Sequence, residues 1–151
     1  MKEIILFLHV VFASLWIGGM LFMAIVLSPY VRKLPISTKI FQEVGKRYSI
    51  IGTVIGLPVL FITGVLNAVS ITGMEFIALL NSSLAYAITL KEKLMFFLLT
   101  VILAVLHDFY LGPKANMSQR IKLITRIVGI INLIIGLIII FLAVKLRFGG
   151  M

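Results

Sequence analysis

Four long apolar stretches dominate this chain, and each is long enough to cross a lipid bilayer. A membrane-spanning helix needs about 20 mostly apolar residues. The stretches are Ile4 to Leu27, Ser49 to Ile71, Leu94 to Leu111 and Leu123 to Val144. Hydrophobic residues make up 62% of the chain and charged residues 13%, a balance that soluble domains rarely reach. The sequence therefore predicts an all-α integral membrane protein, with residues 1–151 forming a single antiparallel four-helix bundle.

The basic residues predict how this bundle lies in the membrane. Nine of the 14 Lys and Arg side chains lie in or beside two connections, the one between spans one and two and the one between spans three and four. The positive-inside rule then predicts that both termini are extracytoplasmic, in a multi-pass protein of the cytoplasmic (inner) membrane. The chain has a net charge of +9. We expect its basic residues to interact with anionic lipid headgroups and not with nucleic acid.

The connection between spans two and three has a character of its own. Residues Glu75 to Thr89 are apolar but are interrupted by Asn81, Ser82 and Ser83. This pattern predicts a short segment at the membrane interface. The chain also has no cysteine, which excludes disulfides, thiolate metal sites and covalent haem attachment. A cofactor would have to be held through nitrogen, oxygen or thioether ligands.

Each predicted span carries one stripe of polar or small residues at helical spacing. In lipid, such stripes face the bundle interior or a neighbouring subunit. Four inward stripes could surround a cofactor, and they also allow a homo-oligomer. The stripes are His9, Ala13, Trp16 and Met20; Gly56, Thr63, Asn67 and Ser70; Lys93, Thr100 and His107; and Thr125, Gly129, Asn132 and Gly136.

Helix geometry predicts which of these residues meet. His9 lies about 7–8 Å below the outer boundary of span one. Asn67 and Ser70 end span two on that side, and Lys93 begins span three there. We therefore expect these four residues to converge near the extracytoplasmic end. Trp16 lies too deep for an interfacial aromatic belt, so its indole N–H needs an internal partner or the edge of a porphyrin.

His107 is predicted to lie apart from this group. It follows Lys93 by 14 residues, which is about 21 Å along a helix and places it about 13 Å deeper than His9. A single haem ligated by both histidines is therefore rejected. The neighbouring Asp108 could hydrogen-bond the imidazole or pair with a nearby Arg or Lys. The His107–Asp108 pair is interpreted as structural or interfacial, with a separate metal site at His107 as the alternative.

The order of several motifs resembles the copper resistance protein D family and the related four-helix membrane protoporphyrinogen oxidases. The first motif is Leu8-His9 followed by Leu15-Trp16-Ile17-Gly18-Gly19, and the second is Arg47-Tyr48-Ser49 leading to Thr63-Gly64 and Asn67. The third is Ser83-Leu84-Ala85-Tyr86 before Lys93-Leu94, and the run ends at His107-Asp108-Phe109-Tyr110-Leu111-Gly112-Pro113. The resemblance covers spans one to three.

This resemblance implies two functions. In the oxidase branch a first-helix histidine and a third-helix lysine are important and members bind b-type haem, which would correspond to His9 and Lys93. The leading hypothesis is a haem b protein with His9 as an axial ligand, Lys93 beside a propionate or substrate carboxylate, and Asn67 orienting the imidazole or a propionate. Electron transfer with a quinone or porphyrinogen, as a membrane oxidoreductase, would be its reaction.

The copper resistance branch implies a different role, because its members are associated with moving copper across the inner membrane. The alternative hypothesis is accordingly a copper-binding or copper-transport component, with His9 and Met74 or Met95 as ligands. A third hypothesis is a structural membrane subunit whose polar stripes serve helix packing alone.

Overall fold

The fold is an all-helical membrane bundle, as the apolar pattern predicts. A computed structural model describes residues 1–34 and 36–150, apart from the side chains of Ser37 and Thr38. The protein is 88% helical, and the described residues form no strand. Four long helices can each span a membrane: α1 (Lys2–Val31), α2 (Lys39–Thr72), α4 (Ala85–Lys114) and α5 (Gln119–Arg147). The short helix α3 (Phe76–Asn81) lies between α2 and α4, where an interfacial segment was expected.

Three of the long helices continue through a proline, and at two of these prolines the sequence predicted a helix end. Because proline commonly ends a helix, Ser28-Pro29 and Gly112-Pro113 predict the ends of spans one and three, but α1 runs to Val31 and α4 to Lys114. In each case a π-helical stretch ends two residues before the proline. The described residues contain three such stretches, Met23–Leu27, Ile50–Gly56 and Leu106–Leu111, which precede Pro29, Pro58 and Pro113. Pro35, expected to keep the first connection non-helical, lies outside the described residues.

The wider π turns explain this continuity. Proline has no backbone N–H, and its ring clashes with the carbonyl group four residues earlier. In lipid the freed carbonyl has no water to pair with, and a local π adjustment lets backbone groups find other partners. The helix can then pass a proline without breaking. A proline in an apolar span is thus a weaker stop signal than it is in a soluble helix.

The helix starts also differ from the prediction, and one difference moves a candidate residue. Helix α4 begins at Ala85 and not near Leu94, so Lys93 lies about 12 Å inside it at 1.5 Å per residue. His9 lies about 10 Å inside α1, counted from Lys2. The two side chains therefore belong to the same level of the bundle, near the end that carries both termini. We call this end the terminal end, and the opposite one the basic end.

The chain up to Gly150 packs back on the bundle, although the tail Lys145 to Met151 is short enough to predict no folded structure. Met151 lies outside the described residues. Helix α5 extends to Arg147, and Gly149 and Gly150 follow with φ angles of 84° and 88°. The Thr89 hydroxyl donates to the Gly150 carbonyl at 2.9 Å. A Cβ at Gly150 would lie 2.5 Å from the Ala85 carbonyl oxygen. Glycine is needed here for both the positive φ and the close approach.

Pairwise packing connects the helices into one core. Helix α1 packs along α2, α4 packs along α5, and α1 also contacts α5. The central cluster of buried side chains contains residues from all four long helices, including Trp16, Leu60, Ala104 and Ile135. A second cluster near α3 consists of Ala68, Leu79, Ala87 and Leu90. The outward faces remain apolar and exposed, as is typical of surfaces that contact lipid.

Close contact between α1 and α2 depends on a tyrosine that fits over two glycines. The Tyr48 hydroxyl donates to the backbone carbonyl of Trp16. A Cβ at Gly19 would lie 2.2 Å from the Tyr48 ring, and one at Gly52 would lie 3.2 Å from the ring and 3.3 Å from Trp16. The ring therefore occupies the space that both missing side chains leave, as small-residue interfaces in membranes permit.

This packing predicts a sharp difference between two adjacent glycines. Gly19→Ala should destabilise the bundle by about 1–3 kcal/mol, because the tyrosine ring must leave its position. Gly18→Ala is the matched control, since a Cβ there meets nothing within 4 Å. The measurement is thermal unfolding of both variants in the same detergent. Equal midpoints would contradict this account of the α1–α2 contact.

Candidate functional site

The centre of the candidate site is the imidazole of His9, which crosses from α1 to α2. Its Nδ1 lies 2.8 Å from the Thr63 hydroxyl oxygen. A Cβ at Gly64 would lie 3.3 Å from His9 Cε1, so the ring rests against the bare backbone of α2. Thr63 belongs to the polar stripe of span two, but the sequence assigned no role to it. The Thr63-Gly64 pair provides both a partner and space for the ring.

The hydrogen bonds of Thr63 determine the orientation of His9. The single hydroxyl proton is directed to the Val59 carbonyl, whose oxygen lies at 2.6 Å. The Thr63 oxygen then accepts from His9, which must carry its proton on Nδ1. Nε2 of the neutral ring is left with its lone pair, and no hydrogen bond of this atom is seen among the described residues. This atom is therefore chemically available, to a metal ion or to a hydrogen-bond donor.

Two further predicted site residues, Lys93 and Asn67, lie at this level of the bundle, Lys93 near the imidazole and Asn67 near its partner Thr63. The Lys93 ammonium is close enough to act electrostatically on His9, and its side chain is partly buried. Asn67 follows Thr63 by one helical turn, which places both on the same face of α2. The Asn67 Nδ2 is buried and has no hydrogen-bond partner in the part of the chain that the structure describes.

Two other predicted site residues have more ordinary surroundings. Ser70 offers its backbone carbonyl to the Lys2 ammonium at 3.3 Å, so the contact observed here involves the main chain. Trp16 is 2% exposed and lies in the central core cluster, between Gly52 and Gly136. Helix packing is enough to explain this position of Trp16. A place at the edge of a cofactor stays a prediction.

The methionines proposed as copper ligands lie in different environments. Met95 is 60% exposed on the outer surface of the bundle. Met74 packs against the second core cluster around Ala68 and Leu79. Met20, which was not proposed as a ligand, approaches Gly136 on α5, and its sulfur lies 3.9 Å from the Asn132 Nδ2. None of these contacts includes His9.

A polar pair deeper in the bundle is fully matched. The Thr100 hydroxyl, which has no exposed surface, donates to the Asn132 Oδ1 at 3.0 Å, and the Asn132 amide is directed at the Met20 sulfur. These contacts join α4, α5 and α1. Because donors and acceptors are paired here, the arrangement is complete without a ligand.

His107 lies in a separate, three-residue network nearer the basic end. Its Nδ1 lies 2.8 Å from the Asp108 Oδ1, and the Thr53 hydroxyl donates to Asp108 Oδ2 at 2.6 Å. A Cβ at Gly129 would lie 3.2 Å from His107 Nε2. The network thus joins the π-helical stretches of α2 and α4 and rests on α5. Thr53 was not identified from the sequence, because a threonine in an apolar span has no local signal that names its partner.

The two histidines are partnered with well-separated points of α2. His9 contacts Thr63 directly, and His107 is connected to Thr53 through Asp108. The two threonines are ten residues apart, or about 15 Å along the axis. This spacing agrees with the depth argument made from the sequence. No group of three or more His, Asp or Glu side chains able to hold a metal occurs among residues 1–34 and 36–150.

Comparison with known proteins identifies the family. The sequence model of the copper resistance protein D family matches residues 42–146. These residues include most of α2 and all of α3 and α4. The chain belongs to the copper resistance protein D family. An uncharacterized protein of Aquifex aeolicus (strain VF5) is 40% identical over 150 residues, which cover 99% of this chain and 97% of that protein. No solved structure matches the chain.

Family and fold together establish the general class of this protein. It is a multi-pass protein of the cell membrane, related to copper resistance. The matched region begins after α1, so it contains Asn67, Lys93 and the His107 network but not His9 or Trp16. The motifs noted in the sequence cover spans one to three, whereas the family match also includes nearly all of α5.

The His107 network predicts a measurable contribution to stability. Thr53→Val should lower the free energy of unfolding by about 1–3 kcal/mol, because a carboxylate loses a buried hydrogen bond. Thr125→Val is the matched control, since that hydroxyl bonds the Ile121 carbonyl of its own helix. Thermal unfolding of both variants in one detergent provides the comparison. A Thr53→Val midpoint equal to that of Thr125→Val would show that the network adds nothing.

Proposed function

We propose that this protein handles copper ions in the cell membrane, with the His9 imidazole as a ligand on their route. Membership of the copper resistance protein D family supports the metal. The choice of His9 as the ligand is supported by its unpartnered Nε2. Thr63 holds the same ring through Nδ1. Copper is here the cargo of the protein and not a resident cofactor.

The chemistry of His9 suits a copper ion. A metal-binding histidine usually donates its other ring N–H to a fixed acceptor, which sets the tautomer and makes the ligand nitrogen more basic. Thr63 supplies that acceptor, and the Val59 carbonyl fixes the Thr63 hydroxyl in turn. Imidazole nitrogen is a good ligand for copper, and the chain has no thiolate to compete with it.

The small number of ligands favours passage over storage. The described residues provide no cluster of three or more imidazole and carboxylate ligands. A lone imidazole holds a metal ion weakly, so the ion exchanges readily with the next ligand. Conduction needs binding that is favourable enough to admit an ion and weak enough to release it. His9 is thus proposed as one position on a path.

A copper-binding experiment tests this proposal. Purified protein is equilibrated anaerobically by dialysis against Cu(I) kept in solution by acetonitrile, a weak ligand, and the bound copper is counted as the Cu(I) concentration is raised. The wild type should bind one ion, and His9→Ala should bind none. Thr63→Val, which keeps His9 but removes its acceptor, should weaken binding about 10–100-fold. His107→Ala is the matched control and should bind as the wild type does.

The outcomes separate the competing functions. Unchanged copper binding in His9→Ala would overturn the role of His9. An absence of copper binding in the wild type, together with a lower unfolding temperature of His9→Ala, would favour a structural subunit. The unfolding temperature of each variant is measured beside the titration, so loss of binding is separated from loss of fold.

Haem binding is the second candidate, because an open Nε2 is also what an axial haem ligand needs. The surroundings of His9 fit this group less well. Two clefts are seen in the described structure, one lined by Phe61, Phe97 and neighbouring apolar residues, the other by Glu43, Arg47 and their neighbours. Neither of these clefts is lined by His9, so neither would bring a porphyrin to its Nε2.

An absorption spectrum tests the haem candidate directly. Protein purified from haem-replete cells would show a Soret band, with sharp α and β bands after dithionite reduction, and His9→Ala would lose them. Copper handling predicts no such bands in either protein. A Soret band that persists in His9→Ala would exclude His9 as the ligand.

A further inference from the structure

Near the terminal end, the bundle contains hydrogen-bond donors that have no acceptor. Lys93 on α4 lies near His9, and Asn67 on α2 lies one helical turn from Thr63, which contacts His9. Polar groups inside a membrane are costly unless they are paired, and they mark functional positions when they are not. The deeper polar groups Thr100, Asn132 and Thr53 are all paired. The unmatched donors at this level therefore need an explanation.

Lys93 is a cation without a counter-charge. Within the described residues, no Asp or Glu oxygen lies within 4 Å of its ammonium, and no hydrogen bond of the ammonium is seen there. The adjacent Glu92 is exposed. Lys91, two residues earlier, is also exposed, and its ammonium donates to the Ser82 carbonyl at 3.3 Å. Lys93 instead lies partly buried on the side of α4 that is near His9.

Asn67 adds a second unmatched donor, this time a neutral one. Its Nδ2 is buried without a partner, and a buried donor left unpaired costs free energy that an apolar side chain would not. It lies one turn from Thr63, the residue that holds His9. The ammonium of Lys93 and the amide of Asn67 thus give the region around Thr63 and His9 more donors than acceptors.

We infer that Lys93 and Asn67 together bind an anionic oxygen group, a carboxylate or a phosphate, beside His9. Such a group offers two or more acceptor oxygens and a negative charge. It would neutralise Lys93 and accept from Asn67 at the same time. The inference does not rest on copper, because the two donors lack an acceptor among the described residues. Two sources could supply this chemistry, a small soluble anion or the headgroup of an anionic lipid.

Thermal unfolding of metal-free protein tests this inference. In lipid-free non-ionic detergent, sodium acetate, succinate and phosphate are each compared with sodium chloride at equal ionic strength. A bound anion should raise Tm by several degrees in a saturable manner, because it stabilises the folded state alone. Lys93→Met and Asn67→Leu should abolish this rise. Lys91→Met, an exposed lysine on the same helix, should keep it.

The same variants make an independent prediction without any ligand. Lys93→Met removes an unpaired charge and Asn67→Leu removes an unpaired donor, so both should raise the Tm of the ligand-free protein. Lys91→Met should leave it unchanged. A purely structural role of either residue predicts the opposite sign, which is why this readout separates packing from binding.

A second arm distinguishes the two sources. The protein is placed in nanodiscs of phosphatidylcholine, with or without phosphatidylglycerol, and retained lipid is identified by native mass spectrometry. Stabilisation by phosphatidylglycerol that requires Lys93 would assign the site to a lipid headgroup, whereas stabilisation by soluble anions in detergent would assign it to a small molecule. The inference is overturned if neither treatment gives a shift that depends on Lys93 and Asn67. That result would leave the copper titration of His9 unaffected.

Discussion

The absence of water in the bilayer interior is the constraint on which this structure depends. Every polar group within a span must find its partner in the protein. The described structure meets this demand in two ways. Thr100 is matched with Asn132, and Thr53 with Asp108 and His107, so these groups connect helices and are complete. Around His9 only some of the polar groups are paired: Nδ1 of His9 has a partner, and the Asn67 Nδ2 has none. This difference separates the polar groups that hold the helices together from those that are free to bind a ligand.

The same constraint shapes the backbone. Three prolines remove backbone donors from spans, and the described helices respond with π turns instead of breaks. These turns also place side chains, because Thr53 and Asp108 both lie in π-helical stretches and meet each other there. Helix continuity has a consequence for the site as well. An α4 that starts at Ala85 brings Lys93 to the depth of His9.

The sequence predicted the helices better than their ends and the contacts within them. Long apolar runs suffice to predict four spans, because a span is defined by length and hydropathy. The helix ends were misplaced where proline was taken as a stop, since the π adjustment depends on hydrogen bonds that no local pattern reveals. Polar stripes predicted that His9, Asn67 and Lys93 would meet near one end. They could not identify Thr63 as the partner of His9, or show that Tyr48 would fill the space above Gly19 and Gly52.

Copper at His9 and the charge of Lys93 oppose each other, and this opposition links the two proposals. A cation at Nε2 would be repelled by the nearby ammonium, and little solvent is present to screen the repulsion. An anionic oxygen group between Lys93 and Asn67 would remove most of that penalty and could itself donate an oxygen to the metal. Coupling of this kind is reciprocal, so bound copper would raise the affinity for the anion by the same factor by which the anion raises the affinity for copper. A site that holds its cargo well only when an anion is present could load and release copper without changing the helices around it.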